Sequence, residues 1–240
     1  MHEYILCCDI GKKRDAFSLM LLQDNAQILD GNKTLGTPDK VIHFYDVTNI
    51  EKYHGLGYEE SADRIVQVMQ NPKLRLNTDL LIDGTGIGDA VVELVRKRGL
   101  YPIPIIFSGG NAPVEHNAQF GNVFKGQEGK LSGVQVIESI SVPKKDLVDA
   151  GKVIIQQGRL RVAPGKWKDD FKEQLQRFKG KVNERTKNIK YEAETEGVHD
   201  DLVVVFLMGA WYILNRKEKG AQERTAAENI DIGWEPEDYM

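Results

Sequence analysis

Acidic residues at the edges of apolar segments are the residues of this chain best suited to do chemistry. Asp9 ends the apolar run 4–8, Asp83 ends the run 80–82, and Asp200 and Asp201 open a long apolar segment, 202–208. A carboxylate beside a buried element loses hydration, which costs free energy unless a cation compensates for it. Three such positions far apart in the sequence predict one shared compensator, and a divalent metal ion is the simplest candidate.

The ligand type predicts which metal and which reaction. Oxygen ligands favour Mg²⁺ or Mn²⁺ over zinc, and the sequence has no cluster of His and Cys residues to compete. Two such ions about 3.5–4 Å apart can cleave a phosphodiester bond, because one activates water and the other stabilises the leaving oxygen. We therefore expect a two-ion site built from Asp9, Asp83 and the pair Asp200 and Asp201.

Each of these residues also has a simpler interpretation. Asp9 and Asp83 are each followed closely by glycine, so both are typical of turns. Asp200 is suited to cap a helix, and the helix dipole would favour Asp201 behind it. His199 could bind a metal, donate a proton or contact phosphate, but a lone histidine at a helix start is more often structural. The coincidence of three acidic positions beside apolar segments favours the metal site.

A glycine-rich turn, 84–88, directly follows Asp83. Such turns can bind phosphate through backbone N–H groups, but the P-loop pattern GxxxxGK[ST] is absent from the chain. Together with Asp9-Ile10-Gly11, the turn superficially resembles the phosphate loops of actin-like phosphotransferases. That enzyme class is an alternative, which ATP binding would test.

The composition is that of a globular protein with one principal core. The chain has 240 residues, of which 41% are hydrophobic and 28% charged. It contains no apolar run long enough to span a membrane and no signal-peptide pattern. Cys7 and Cys8 are adjacent on an apolar segment, which is typical of core residues in a reducing compartment. We expect a cytoplasmic protein with one domain, 1–217, and a charged C-terminal tail, 218–240.

The order of the predicted elements indicates an α/β fold. The opening order βββαβαβ, followed by helices, predicts a mixed β-sheet flanked by helices on both faces. Predicted strands are 3–9, 16–22, 40–47, 80–83, 103–107 and 160–163, with a strand or hairpin at 187–194. Predicted helices begin at residue 58 and end near 71, and then cover 87–98, 144–157, 167–178 and 200–215. The segment 108–133, rich in Gly and Asn, is expected to be a long loop.

Positive charge is concentrated in one part of the chain. Residues 144–190 contain fourteen Lys and Arg residues against six Asp and Glu residues, although the whole chain has a net charge of −4. This asymmetry predicts a basic face for a polyanion, the alternative being a solvated helix face. Lys12 and Lys13, in the turn after Asp9, could contact backbone phosphates.

Several of these motifs together resemble one known family. Segments 83–92 and 199–203, with Asp9-Ile10-Gly11 on the first strand and the segment 142–147 before a helix, resemble the nuclease domain of tailed-bacteriophage large terminase subunits. The resemblance covers about residues 3–215, and His199-Asp200-Asp201 before an apolar helix is its most specific part. It implies an RNase H-like fold and a metal-dependent endonuclease that cuts phage genome concatemers during DNA packaging. In that case Asp9 would bridge both ions, Asp83 would hold one, and Asp201 or Asp200 the other.

The resemblance also implies partners. Double-stranded DNA would lie on the basic surface, and the possible contacts are Lys12, Lys13, Lys144, Lys145, Lys187, Lys190 and His199. In a bacterial host cytoplasm the partners would be a packaging ATPase, a small terminase subunit and the portal. Large terminases carry an ATPase domain ahead of the nuclease, and this sequence has none, which predicts a separately produced domain or a standalone relative. A Holliday-junction-resolvase-like nuclease and a non-catalytic DNA- or portal-binding module are the alternatives.

Overall fold

The computed structural model describes residues 2–11, 16–29, 40–86, 88–119, 135–182, 189–193 and 200–218. Within these residues the chain forms ten strands and five α-helices, and a π-helical segment, Ile213–Glu218, follows the last helix. The strands are β1 (Tyr4–Asp9), β2 (Ala16–Leu29), β3 (Lys40–His54), β4 (Thr78–Asp83), β5 (Ile103–Ser108), β6 (Val114–Gln119), β7 (Gln135–Pro143), β8 (Leu160–Val162), β9 (Phe178–Val182) and β10 (Ile189–Ala193). The helices are α1 (Tyr58–Met69), α2 (Gly88–Lys97), α3 (Lys144–Gln156), α4 (Lys168–Arg177) and α5 (Asp201–Tyr212).

Eight of the strands form one mixed sheet in the order β6-β7-β5-β4-β1-β2-β3-β8. The central strand β1 pairs antiparallel with β2 and parallel with β4. The strands β4, β5 and β7 run parallel to one another, and helix α2 forms the crossover between β4 and β5. This is the predicted mixed sheet.

Helices cover both faces of the sheet because each strand buries side chains on two sides. Cys7 belongs to a core layer shared with α3, α4 and α5, whereas Cys8 belongs to a second layer shared with α1 and α2. Both thiols are fully buried, and this burial raises the pKa of each. The predicted core role of the two cysteines is confirmed. The side of the sheet that carries α5 is called the α5 face below.

The strands β2 and β3 are much longer than predicted. They were expected to end at residues 22 and 47, but β2 continues to Leu29 and β3 continues to His54. Their ladder shifts register between Leu21 and Leu22, opposite Thr48, which is the mark of a β-bulge. Because a bulge changes which face successive side chains occupy, the alternation in the sequence breaks at Thr48 although the strand continues.

The prediction of a loop throughout 108–133 was wrong for part of that segment. The edge strand β6 lies within it and pairs antiparallel with β7. In β6 the sequence Val-Glu-His-Asn-Ala-Gln has no apolar alternation, because an edge strand exposed to solvent needs only its backbone hydrogen bonds to one neighbour. Residues 120–134 lie outside the described part of the chain.

Two further strands, β7 and β9, were not predicted, whereas the five helices and β8 agree with the predicted elements. The expected strand or hairpin near 187–194 is confirmed as β10, which pairs antiparallel with β9 in a separate two-stranded sheet. Of the predicted tail, only Glu218 is described; it accepts a hydrogen bond of 2.7 Å from the hydroxyl of Tyr45 and pairs with Arg159. No helix in the described residues is both long enough and apolar enough to cross a membrane.

Candidate metal centre

Four polar side chains form one row across the centre of the sheet. Asp9 on β1 lies opposite Ser18 on β2, and Ser18 lies opposite Lys52 on β3. On the other side of β1, Cys8 is level with Ile82 of β4, which places Asp9 level with Asp83, the next residue along each strand. Adjacent strands lie about 4.8 Å apart, so the sequence-distant Asp9 and Asp83 are neighbours.

All four side chains of the row lie on the α5 face. Side chains alternate between the two faces of a strand, and the residues two positions before Asp9, Asp83 and Lys52 pack in the core layer beneath α5. Met20, two residues after Ser18 on β2, packs in the same layer. The parallel strands β1 and β4 end here, so both carboxylates lie at the carboxyl edge, where α/β sheets bind ligands.

Helix α5 brings a third carboxylate to this face. Its residues are almost entirely buried, which explains the continuous apolar sequence after residue 201. Gly209 allows the helix to approach the sheet closely, because a Cβ there would lie 2.4 Å from a methyl carbon of Leu22 and 3.0 Å from the sulfur of Cys7. Asp201, the first residue of α5, is only 8% exposed.

Lys52 contacts this third carboxylate. Its ammonium nitrogen lies 3.4 Å from Oδ2 of Asp201 and 3.6 Å from Oδ2 of Asp170 on α4. The Lys52 side chain is itself only 8% exposed. Lysines are rarely buried to this degree unless they have a charged partner, as Lys52 does. A buried ammonium therefore joins the row on the sheet to the start of α5.

Asp83 is held in place by the turn that follows it. Its Oδ1 accepts a hydrogen bond of 2.8 Å from the backbone N–H of Thr85. Burial raises the pKa of the Asp83 carboxyl, and this outweighs the opposing effects of the Thr85 hydrogen bonds and of the positive charge on Lys144. The protein therefore stabilises the charged form of Asp83 less than water does.

The glycine-rich turn has a structural explanation. Gly86 has a φ of +68°, a conformation that favours glycine. A Cβ at Gly88 would lie 1.7 Å from the backbone oxygen of Asp83, so only glycine lets α2 begin this close to β4. The turn thus serves to end β4 at Asp83, and the geometry gives no support to the phosphotransferase alternative.

The two acidic residues at the start of α5 have different environments. Asp200 occupies the N-cap position, as the simpler interpretation predicted, but its side chain makes no capping hydrogen bond. Instead, Oε1 of Gln174 on α4 accepts a hydrogen bond of 3.0 Å from the backbone N–H of Leu202. Asp200 is half-buried, whereas Asp201 is buried against Lys52, and this makes Asp201 the better candidate of the two.

The predicted DNA contacts are only partly described. Lys144 and Lys145 are exposed in the first turn of α3, and Lys144 lies close enough to Asp83 to affect its pKa. The first residue of the β9–β10 hairpin, Phe178, lines a small cleft together with Lys144 and Val204. Lys190 is on β10, but its side chain is not described, and Lys12, Lys13, Lys187 and His199 lie outside the described residues.

The donor set of the row fits a hard divalent cation. Asp9 and Asp83 offer carboxylate oxygens, and the hydroxyl of Ser18, level with Asp9, is buried and makes no hydrogen bond within the described residues. Among those residues, no three His, Cys, Asp or Glu side chains are gathered around one point.

Four residues of the site were missed in the sequence: Ser18, Lys52, Asp170 and Gln174. Lys52 lies beyond the bulge at which the predicted third strand was ended. If the strand is continued past Thr48 with its in–out alternation shifted by one residue, Ile50 and Lys52 fall on the same face of the sheet. Asp170 and Gln174 stand four residues apart on the polar helix α4, and only the long-range contacts to Lys52 and Leu202 give them a role.

Comparisons with known proteins support the fold. No family model matches the sequence, and no curated protein matches it. The structure is similar to the crystal structure of the large terminase nuclease from thermophilic phage G20c, with a TM-score of 0.53, 16% identity, and coverage of 88% of this chain and 81% of that one. The structure of the same nuclease with bound cobalt gives a TM-score of 0.52 and 16% identity, covering 87% and 80%. The chain therefore has the RNase H-like fold of large terminase nucleases, and the predicted resemblance is confirmed in its fold.

Proposed function

We propose that this chain is a Mg²⁺- or Mn²⁺-dependent DNA endonuclease that cleaves phage genome concatemers during packaging. The observation that carries the proposal is the level placement of Asp9 and Asp83 on adjacent parallel strands, facing the helix that begins with buried Asp201. The shared fold with a terminase nuclease supports the same reaction class.

The position of each carboxylate suggests its role. Asp9, on the central strand between Asp83 and Ser18, is suited to contact two ions, while Asp83 and Asp201 would each hold one. Bound divalent ions would supply an activated water and stabilise the leaving oxygen of the phosphodiester. The hydroxyl of Ser18 is available to donate a hydrogen bond to the Asp9 carboxylate and so to fix its orientation.

Basic residues beside the carboxylates would bind the DNA backbone. Lys144 and Lys145 are exposed at the start of α3, and Lys144 is close enough to Asp83 to lower the pKa of its carboxyl. The β9–β10 hairpin begins beside Lys144 and contains further lysines. These ammonium groups would attract a backbone phosphate, which would then enter the site from the side of Asp83.

Cleavage of supercoiled plasmid tests the proposal. The wild-type chain should nick plasmid with Mn²⁺ or Mg²⁺ and not with EDTA. Asp9→Asn should abolish nicking, whereas Asp149→Asn, which alters an exposed carboxylate paired with Lys152 on α3, should leave it unchanged. Full Mn²⁺-dependent nicking by Asp9→Asn would refute the assignment of the site.

The DNA substrate separates this function from the resolvase-like alternative. A packaging nuclease should cut linear duplex DNA and four-way junctions at comparable rates. A strong preference for the junction would support the resolvase. Metal-dependent DNA binding with no cleavage of either substrate would support the non-catalytic packaging module. Association with a packaging ATPase, a small terminase subunit or a portal can be measured with purified proteins.

A further inference from the structure

We propose that the ammonium of Lys52 pairs with the Asp201 carboxylate until a divalent ion binds there. The ammonium then moves to the carboxylate of Asp170. Lys52 and Asp170 are thus positioning residues that set the metal affinity of the site. This inference rests on the proposed function, since it assumes that Asp201 is a metal ligand.

The geometry shows an ammonium shared between two carboxylates. Lys52 lies 3.4 Å from Asp201 and 3.6 Å from Asp170, and both distances are longer than the 2.7–2.9 Å of a direct charge-assisted hydrogen bond. In the described part of the chain, its ion pairs are with these two residues. The ammonium is therefore placed between two partners and is not fixed on either.

The two partners differ in exposure. The side chain of Asp201 is 10% exposed and that of Asp170 is 35% exposed. A buried carboxylate needs a nearby cation more than one that water can reach, so pairing with Lys52 stabilises Asp201 more than Asp170 when no metal ion is bound. Asp170 can hold the lysine at the rim of the site, where solvent shares the charge.

Binding of a divalent ion reverses this preference. An ammonium and a divalent ion on one carboxylate repel each other strongly in a buried site. Lysine can respond because its charge is compact and its four-carbon stem is flexible, whereas arginine holds its partner in a rigid fork. Moving toward Asp170 relieves the repulsion while Lys52 keeps a counter-charge.

The exchange predicts opposite effects of two substitutions on metal affinity. Among the described residues, Asp170→Asn leaves Lys52 with Asp201 as its charged partner, so the lysine competes with the ion. Lys52→Met removes the competitor and keeps the length of the side chain, so the ion should bind more tightly. Once Lys52 is absent, Asp170→Asn should have no further effect.

Isothermal titration with Mn²⁺ at neutral pH tests this double-mutant cycle. We expect Asp170→Asn to weaken Mn²⁺ binding roughly 10-fold, the typical effect of a residue that acts through a metal ligand. We expect Lys52→Met to strengthen binding about 10-fold, and the double variant to match Lys52→Met. The neighbouring residue Asp169 is exposed in the same helical turn, and Asp169→Asn is the matched control that should bind like the wild type.

The outcomes separate this inference from the proposed function. An equal loss from Asp170→Asn with and without Lys52 would mean that Asp170 binds the ion directly, and would overturn the inference. No change in Asp170→Asn, or weaker binding in Lys52→Met, would also overturn it. If the wild type binds no Mn²⁺, or if Asp9→Asn leaves binding unchanged, the proposed function itself fails. Circular dichroism in EDTA checks folding, and Lys52→Gln replaces Lys52→Met if the latter is unfolded.

Discussion

The side-chain oxygen of Gln174 accepts a hydrogen bond of 3.0 Å from the backbone N–H of Leu202, and so caps α5 from a different helix. Both residues are buried, Gln174 at 4% exposure. Asp170 stands four residues before Gln174 on the same side of α4 and lies beside Lys52. One face of α4 therefore contacts both sides of the Asp201–Lys52 ion pair. Gln174 binds the first turn of α5, which carries Asp201, and Asp170 contacts the Lys52 ammonium.

Removal of this cap should destabilise the protein. Gln174→Ala leaves the buried N–H of Leu202 without a partner, and we expect the free energy of unfolding to fall by about 1–3 kcal/mol. Because Asp201 precedes Leu202, the gain in stability from Mn²⁺ should fall as well. Urea unfolding with Mn²⁺ and with EDTA measures both effects. Gln156→Ala, an exposed position at the end of α3, is the control and should change stability by less than about 0.5 kcal/mol. An unchanged response of Gln174→Ala to Mn²⁺ would separate the cap from the metal site.

The adjacent residues Asp200 and Asp201 should differ in importance. We expect Asp201→Asn to abolish Mn²⁺-dependent nicking of plasmid, because Asp201 is the buried carboxylate that faces the row on the sheet. Asp200 sits at the N-cap without a capping bond, and Asp200→Asn should retain activity within about 100-fold of the wild type, as for a residue outside the ligand shell. Initial rates of nicking under single-turnover conditions measure the difference. The reverse ranking would make Asp200 the ligand.

The sequence was sufficient to predict that Asp9 and Asp83 lie together. Both end short apolar runs, and such runs form parallel strands in the centre of an α/β sheet, so their carboxyl ends share one edge. The burial of α5 was equally predictable, because twelve residues without a polar face cannot lie at a surface. These inferences need only the local pattern and the general rules of sheet topology.

Lys52 could not be placed in the same way. The bulge at Thr48 shifts the alternation of β3, so a reading with a fixed period of two ends the strand at Val47, before Lys52 is reached. Gln174 and Asp170 lie on a helix whose apolar positions are Phe171 and Leu175. The sequence pattern therefore predicts that the other positions of this helix face solvent. The partner of Gln174 is Leu202, 28 residues away, and the partner of Asp170 is Lys52 on the distant strand β3. Only the tertiary structure specifies these contacts.

The close approach of α2 to β4 leads to a prediction about Gly88. A Cβ at this position would lie 1.7 Å from the backbone oxygen of Asp83, and a backbone atom cannot move aside as a side chain can. We expect Gly88→Ala to lower the free energy of unfolding by about 3 kcal/mol and to displace Asp83. Thermal unfolding measures the first effect, and Mn²⁺ titration of the folded fraction measures the second. Gly165→Ala is the control, because a Cβ there meets open space and should cost almost nothing. Wild-type stability in Gly88→Ala would show that the turn can relax.

The raised pKa of Asp83 predicts a pH dependence of stability. Burial raises the pKa of this carboxyl in the folded state above the unfolded value of about 3.9. The folded state therefore binds the proton more readily than the unfolded state. It follows that the free energy of unfolding falls as the pH rises from the unfolded pKa through the folded pKa, and the loss is complete above the folded pKa. A substitution that removes this ionisation should stabilise the metal-free protein at neutral pH.

Asp83→Asn is the substitution that tests this dependence, because an amide oxygen can still accept the hydrogen bond from Thr85. In EDTA we expect its Tm to exceed that of the wild type at neutral pH, and the difference to shrink as the pH falls through the raised pKa of the wild-type carboxyl, which then becomes protonated. With saturating Mn²⁺ the order should reverse, because the wild-type carboxylate gains a cation that the amide binds poorly. Asp149→Asn, at an exposed position, should show neither trend. A lower Tm for Asp83→Asn in EDTA at neutral pH would mean that the Asp83 charge is already compensated by the protein, and that burial does not prepare this residue for a metal ion.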